Sequence, residues 1–192
     1  MSSEVSQILG LIMFSVLVVS LIVEAILSRT WNKVYFTSGI PIFAMRVPVE
    51  LRHSIIPSSS QLEAHFHSTW TSSLAFKEVD LHTYAFREKF FEVRLVGYSP
   101  IMHGVLIFNH NNNEVIVKGF ANWFVLAFSL IWLSGIMLSA FPSFPLLGLG
   151  FILFFVLLMG LLYWIQYSRF SKVAMFAAET WSRKYARNVV GV

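Results

Sequence analysis

The chain has no cysteine among its 192 residues. That single absence excludes disulfides, thiolate metal ligands and cysteine nucleophiles. Charge is scarce too: only 12% of residues carry it, about half of the roughly 25% usual in soluble domains. Asp80 is the sole aspartate, which disfavours the Asp-rich metal sites of phosphoryl transfer. No nucleophile elbow, phosphate-binding glycine loop, HExxH pair or paired carboxylate is present. Catalysis is therefore not expected, and neither is a cofactor.

What fills the chain instead is apolar. Hydrophobic residues make up 56% of it, 19 of them Phe, and the mean hydropathy is +0.68. Residues 119–168 contain no Asp, Glu, Lys or Arg. A run of that length is about twice the roughly 20 residues that one helix needs to cross a bilayer. Near its middle stands Phe141-Pro142-Ser143-Phe144-Pro145, where a chain would reverse. Two antiparallel spans are expected, over residues 121–141 and 145–167. A third span is expected near the N-terminus, over residues 7–27. The secretory signal that could replace it lacks its basic n-region and a convincing cleavage site.

The basic residues set an orientation. None precedes the first span; Arg29 and Lys33 follow it, Lys118 precedes the second, and Arg169 and Lys172 follow the third. All of these flanks fall on one side, which the positive-inside rule makes cytoplasmic. The aromatic residues Trp31, Tyr35, Trp123, Tyr163, Trp164 and Tyr167 cluster at that same face, the level that amphipathic rings favour. The expectation is an integral membrane protein of a bacterial-type inner membrane, N-terminus outside and C-terminus inside. The formal charge of +4 is read as lipid-facing: anionic headgroups are expected partners, and nucleic acid is not.

The expected organisation is a membrane helix (1–27), a small cytoplasmic α+β domain with an antiparallel sheet (28–118), a transmembrane hairpin (119–167) and a basic amphipathic C-terminal helix (168–192). Within the domain, His103 to Phe108 and Glu114 to Lys118 form a hairpin across the turn-prone Asn109-His110-Asn111-Asn112-Asn113. Further strands are expected over residues 40–47 and 90–96, and residues 76–86 are ambiguous between strand and helix. Ser60 and Glu63 have the spacing of a capping box.

Candidate contact residues for partners or lipid are Glu24, Trp123, Phe141, Phe144, Phe176 and Trp181. Glu24 is the one acidic residue within an expected span, and an intramembrane carboxylate marks function by default; it lies near Arg29, within reach of headgroup water. No metal site is expected. His65 and His67 would share a face only on a strand, and the capping signal puts them on a helix, where they point apart. The functional expectation is a non-catalytic accessory or assembly subunit of a larger membrane complex, packing its spans on other membrane subunits and clamping them at the cytoplasmic surface. The alternative is a homo-oligomeric channel or carrier with Glu24 facing the pathway.

Overall fold

The computed structural model describes residues 3–49, 56–67, 73–89, 101–139 and 145–183. The expected strand over 90–96, the hairpin tip with Phe141 and Phe144, and the basic residues Lys184 and Arg187 lie outside the described residues. The chain divides into two units, Met1–Thr30 with Asn122–Tyr163, and Trp31–Ala121 with Trp164–Val192.

The first unit is helical. It contains α1 (Ser3–Arg29), α4 (Trp123–Ser139) and the beginning of α5 (Pro145–Arg183). Two helices are long and apolar enough to cross a membrane, within Gly10–Arg29 and Leu146–Ser182, each with a mean hydropathy of 2.6 over its most apolar stretch. Within the chain, only 6% and 11% of those stretches are buried. The third apolar helix, α4, has 17 residues, or about 25 Å at 1.5 Å per residue. α1 packs on α4, and Trp132 of α4 stacks on the buried Phe155 of α5, ring centroids 4.6 Å apart.

The second unit is a five-stranded antiparallel sheet in the order β1-β5-β4-β3-β2. Its strands are β1 (Pro41–Pro48), β2 (Leu74–Asp80), β3 (Thr83–Glu88), β4 (Met102–Asn109) and β5 (Glu114–Ala121). The expected β4–β5 hairpin and β1 are present, and residues 76–86 resolve into the hairpin β2–β3. Its turn is made by Leu81 and His82, the latter at φ 61.

The inner face of the sheet carries Phe43, Phe76, Tyr84, Phe86, Met102, Leu106, Phe108, Val115 and Val117, all buried. Against it lies the C-terminal part of α5, whose buried positions Gln166, Phe170, Val173, Ala174, Ala177, Ala178 and Trp181 follow the 3.6-residue period. Two glycines paired across β4 and β5, Gly104 and Gly119, let the helix and rings come close. A Cβ on Gly104 would stand 2.2 Å from the Phe86 ring.

The helix α5 runs on past residue 168, where the expected C-terminal boundary falls. The third apolar run and the tail as far as Arg183 form one helix of 39 residues, with no break near residue 168. No Gly or Pro interrupts the chain from 161 to 183, and burying one stripe on the sheet stabilises the helical continuation. The tail's apolar face is thus used inside its own unit.

The short helix α3 (Ser59–His65) sits beside the edge strand β2. Its capping box is built by Ser58 and Gln61, not Ser60 and Glu63: the Ser58 side chain accepts from the Gln61 amide, and the Gln61 side chain accepts from the Ser58 amide. Glu63 turns to the sheet and accepts a hydrogen bond from the Phe76 amide at 2.9 Å, occupying an edge donor that would otherwise be open to strand pairing. On the outer face, α2 (Lys33–Thr37) lays Tyr35 and Phe36 over β4.

Candidate functional site

The most concentrated buried chemistry in the sheet unit is a clamp between α5 and the strands. Gln166 is fully buried, and its side-chain oxygen accepts from the Ile101 and Met102 amides at 3.1 and 3.0 Å. Its amide nitrogen donates to the Glu88 carboxylate at 3.4 Å, a long bond. Arg169, one turn further along α5, donates to the same carboxylate oxygen at 2.7 Å. The Glu88 side chain is 2% exposed and that of Arg169 is 15%. Charge-assisted bonds of this length are the strong ones, and a buried carboxylate requires such partners. The clamp ties one helix to the ends of two strands.

A second cluster lies on the outer face. The buried His103 ring stacks on Tyr35 at 4.1 Å and meets Phe36 edge-on at 5.2 Å. Its Nε2 lies 3.0 Å from the Tyr35 carbonyl. A carbonyl only accepts, so Nε2 carries the proton. Near it, the Arg87 guanidinium lies 4.9 Å from the centre of the Trp31 ring, a cation–π arrangement.

Glu24 lies in the helical unit, buried at 5% exposure, and its carboxylate accepts from the Phe124 amide in the first turn of α4. A carboxylate at a helix N-terminus satisfies an orphan amide and meets the positive end of the helix dipole. Glu24, expected near Arg29 and within reach of headgroup water, caps the first turn of the neighbouring helix α4.

The other expected contact residues are scattered. Trp123 opens α4 and is partly exposed. Trp181 is fully buried against Phe108, within its own unit. Phe176 is half-buried under the His65 ring, centroids 3.5 Å apart. His65 ends α3 and His67 follows it, both exposed. Among the described residues no three His, Asp or Glu converge as metal ligands.

Among the described residues, titration is perturbed at Asp80 and Tyr84. Asp80 is held below its ordinary value, chiefly by the hydrogen bond from Lys33 and then by the Leu81 amide. Burial pushes the Tyr84 phenol up, and the Glu78 charge adds to it. A groove of about 500 Å³ lies between the end of β1 and α5, lined by Val47, Pro48, Val49, Met175, Ala178, Glu179 and Ser182. Among the described residues its lining holds one carboxylate, that of Glu179, and no basic side chain.

Sequence reasoning passed over Gln166, and read Arg169 as a membrane flank and His103 as part of a hairpin strand without joining Arg169 to Glu88 or His103 to Tyr35. One signal pointed to the clamp: Gln166 is the only amide side chain in residues 123–168, and such a group in an apolar run needs a partner. No known protein family, curated protein or solved structure matches this chain, so geometry alone carries the functional reading.

Proposed function

We propose that the chain is an integral membrane protein with three spans, α1, α4 and the first part of α5, acting as a non-catalytic accessory or assembly subunit of a larger membrane complex. The observation that carries this reading is the contrast between its inside and its outside. The polar groups that would line a transport route or a reaction centre are engaged within the chain: Glu24 by the Phe124 amide, Gln166 by two strand amides, Glu88 by Arg169. What remains outward on the helices is apolar, with Leu11, Phe14 and Val19 of α1 and Leu146, Phe154 and Leu157 of α5 all more than half exposed. Apolar surface on that scale needs lipid or a partner subunit.

In this reading the sheet domain lies in the cytoplasm and the N-terminus outside, with the basic residues that flank the apolar runs meeting anionic headgroups. Membrane neighbours cover the lateral faces of the spans, and the sheet domain holds them at the cytoplasmic surface.

Two measurements test it. The chain lacks cysteine, so a single Asn112→Cys at the β4–β5 turn reports sidedness by labelling with a membrane-impermeant maleimide. Labelling confined to inverted vesicles is expected; labelling from outside intact cells would refute the orientation. Mild-detergent purification from the native host, with mass spectrometry, should return a defined set of membrane subunits at fixed stoichiometry. A particle containing only this chain would overturn the accessory role.

A further inference from the structure

We propose that His82 and His110 form a two-histidine site for a divalent transition-metal ion of the zinc, nickel or copper type. The two residues occupy the neighbouring tips of the β2–β3 and β4–β5 hairpins, since β3 pairs with β4 through Thr83 and Ile107. Their ring centroids are 4.9 Å apart and the rings are inclined at 60°.

The separation suits a shared ion. An imidazole nitrogen lies about 2.0–2.1 Å from zinc, which puts the ring centre about 3.2 Å from the metal. Two rings on one ion are then about 4.5 Å apart at a right angle and about 5.2 Å apart at the tetrahedral angle. The observed spacing falls between these values, so the separation of the two rings matches that of two imidazoles on one ion. Neutral imidazole suits the borderline metals, not the oxygen-seeking calcium and magnesium. Water completes the coordination.

Both tips are held in place. The Phe108 amide donates to the His82 carbonyl at 2.9 Å, locking one tip to the strand of the other. In the second tip, the Asn109 side chain accepts from the Asn111 and Asn112 amides, and the Asn109 and Asn112 side chains donate to Glu114. His82 keeps a left-handed backbone at φ 61, tolerated better by His and Asn than by most residues. The His110 ring meets Trp181 edge-on at 5.1 Å. A bound ion would therefore cross-link two hairpins next to the end of α5, and a paramagnetic one would quench Trp181.

The test uses the full chain in detergent micelles, carrying a purification tag free of histidine. Zn²⁺ is titrated by calorimetry, and Cu²⁺ by tryptophan fluorescence with Trp181→Phe as the spectral reference. One equivalent should bind saturably, with quenching that Trp181→Phe removes. His82→Asn and His110→Asn, which suit the turn conformations, should each weaken binding by roughly tenfold or more, since even outer-shell changes cost 10–100-fold in metal affinity. The exposed His67→Asn should leave it unchanged. The proposal fails if no saturable binding occurs, if binding survives both tip variants, or if only one variant weakens it, which would mark a single-histidine adduct. Unchanged far-UV circular dichroism in the variants separates loss of the site from loss of the fold.

Discussion

Arg169→Met is the sharpest test of the clamp between α5 and the sheet. The substitution keeps an unbranched apolar stem along the helix and removes the guanidinium bonded to Glu88. The Glu88 side chain is 2% exposed, so its carboxylate would stay desolvated while losing a charged partner. Breaking a buried pair from one side costs about 3–5 kcal/mol. Arg169 is itself 15% exposed, and water entering the vacated space brings the expected loss to the lower end, roughly 3 kcal/mol. Glu88→Gln in the same background removes the stranded charge while keeping an oxygen for the Gln166 amide. The double variant should therefore recover much of the loss, with a coupling energy between the two sites of about 1–3 kcal/mol. Unfolding in mixed micelles by added SDS measures the stability, and hydrogen exchange at Ile101 and Met102 reports the clamp locally. If Arg169→Met unfolds like the parent, with those amides equally protected, the clamp is not what holds the helix to the sheet.

Other consequences follow from the same geometry. Glu24→Leu removes the acceptor for the Phe124 amide and should cost about 0.5–2 kcal/mol, the usual range for a lost cap; Glu24→Gln, which keeps an acceptor, should cost less, as read by thermal denaturation in detergent. Gly104→Ala drives a methyl group into the Phe86 ring and should destabilise by about 1–3 kcal/mol, whereas Gly160→Ala, inside α5 with open space around it, should not lower the melting temperature, because alanine favours the helix over glycine. The depressed carboxyl of Asp80 binds protons less readily when folded than when unfolded. Its contribution is present above its ordinary value of 3.8 and is lost as pH falls through the folded value. Both partners are more than half exposed, so the effect is small and fades with salt; acid titration of Asp80→Asn against the parent should show a shallower loss of stability below pH 4, and identical curves would count against the pair.

Local chemistry made much of this protein legible beforehand. The β4–β5 hairpin was readable because two β-rich runs flank an asparagine turn, and Asn113 does adopt the left-handed conformation, at φ 50. β1 was readable from its run between Pro41 and Pro48. The capping box was displaced by two residues because Ser58, Ser59 and Ser60 are locally equivalent; contact of Glu63 with the Phe76 amide, 13 residues away, breaks the tie. The tail was expected as a separate amphipathic helix because its apolar stripe can be read without knowing what covers it. Its cover is the sheet, which assembles from strands some 60 to 130 residues earlier in the chain.

The sequence by itself determined the solvent each segment suits and where the chain turns. Hydropathy, helical period and turn propensity are properties of neighbouring residues, and they act before any tertiary contact forms. Only the tertiary structure decided which polar groups are partners. Glu24 meets an amide 100 residues later, Gln166 meets amides 64 and 65 residues earlier, and His82 meets His110 across two hairpin tips. A buried polar group must find a partner because its desolvation is costly, but strand order and helix packing choose that partner, and neither is written in any local stretch of residues.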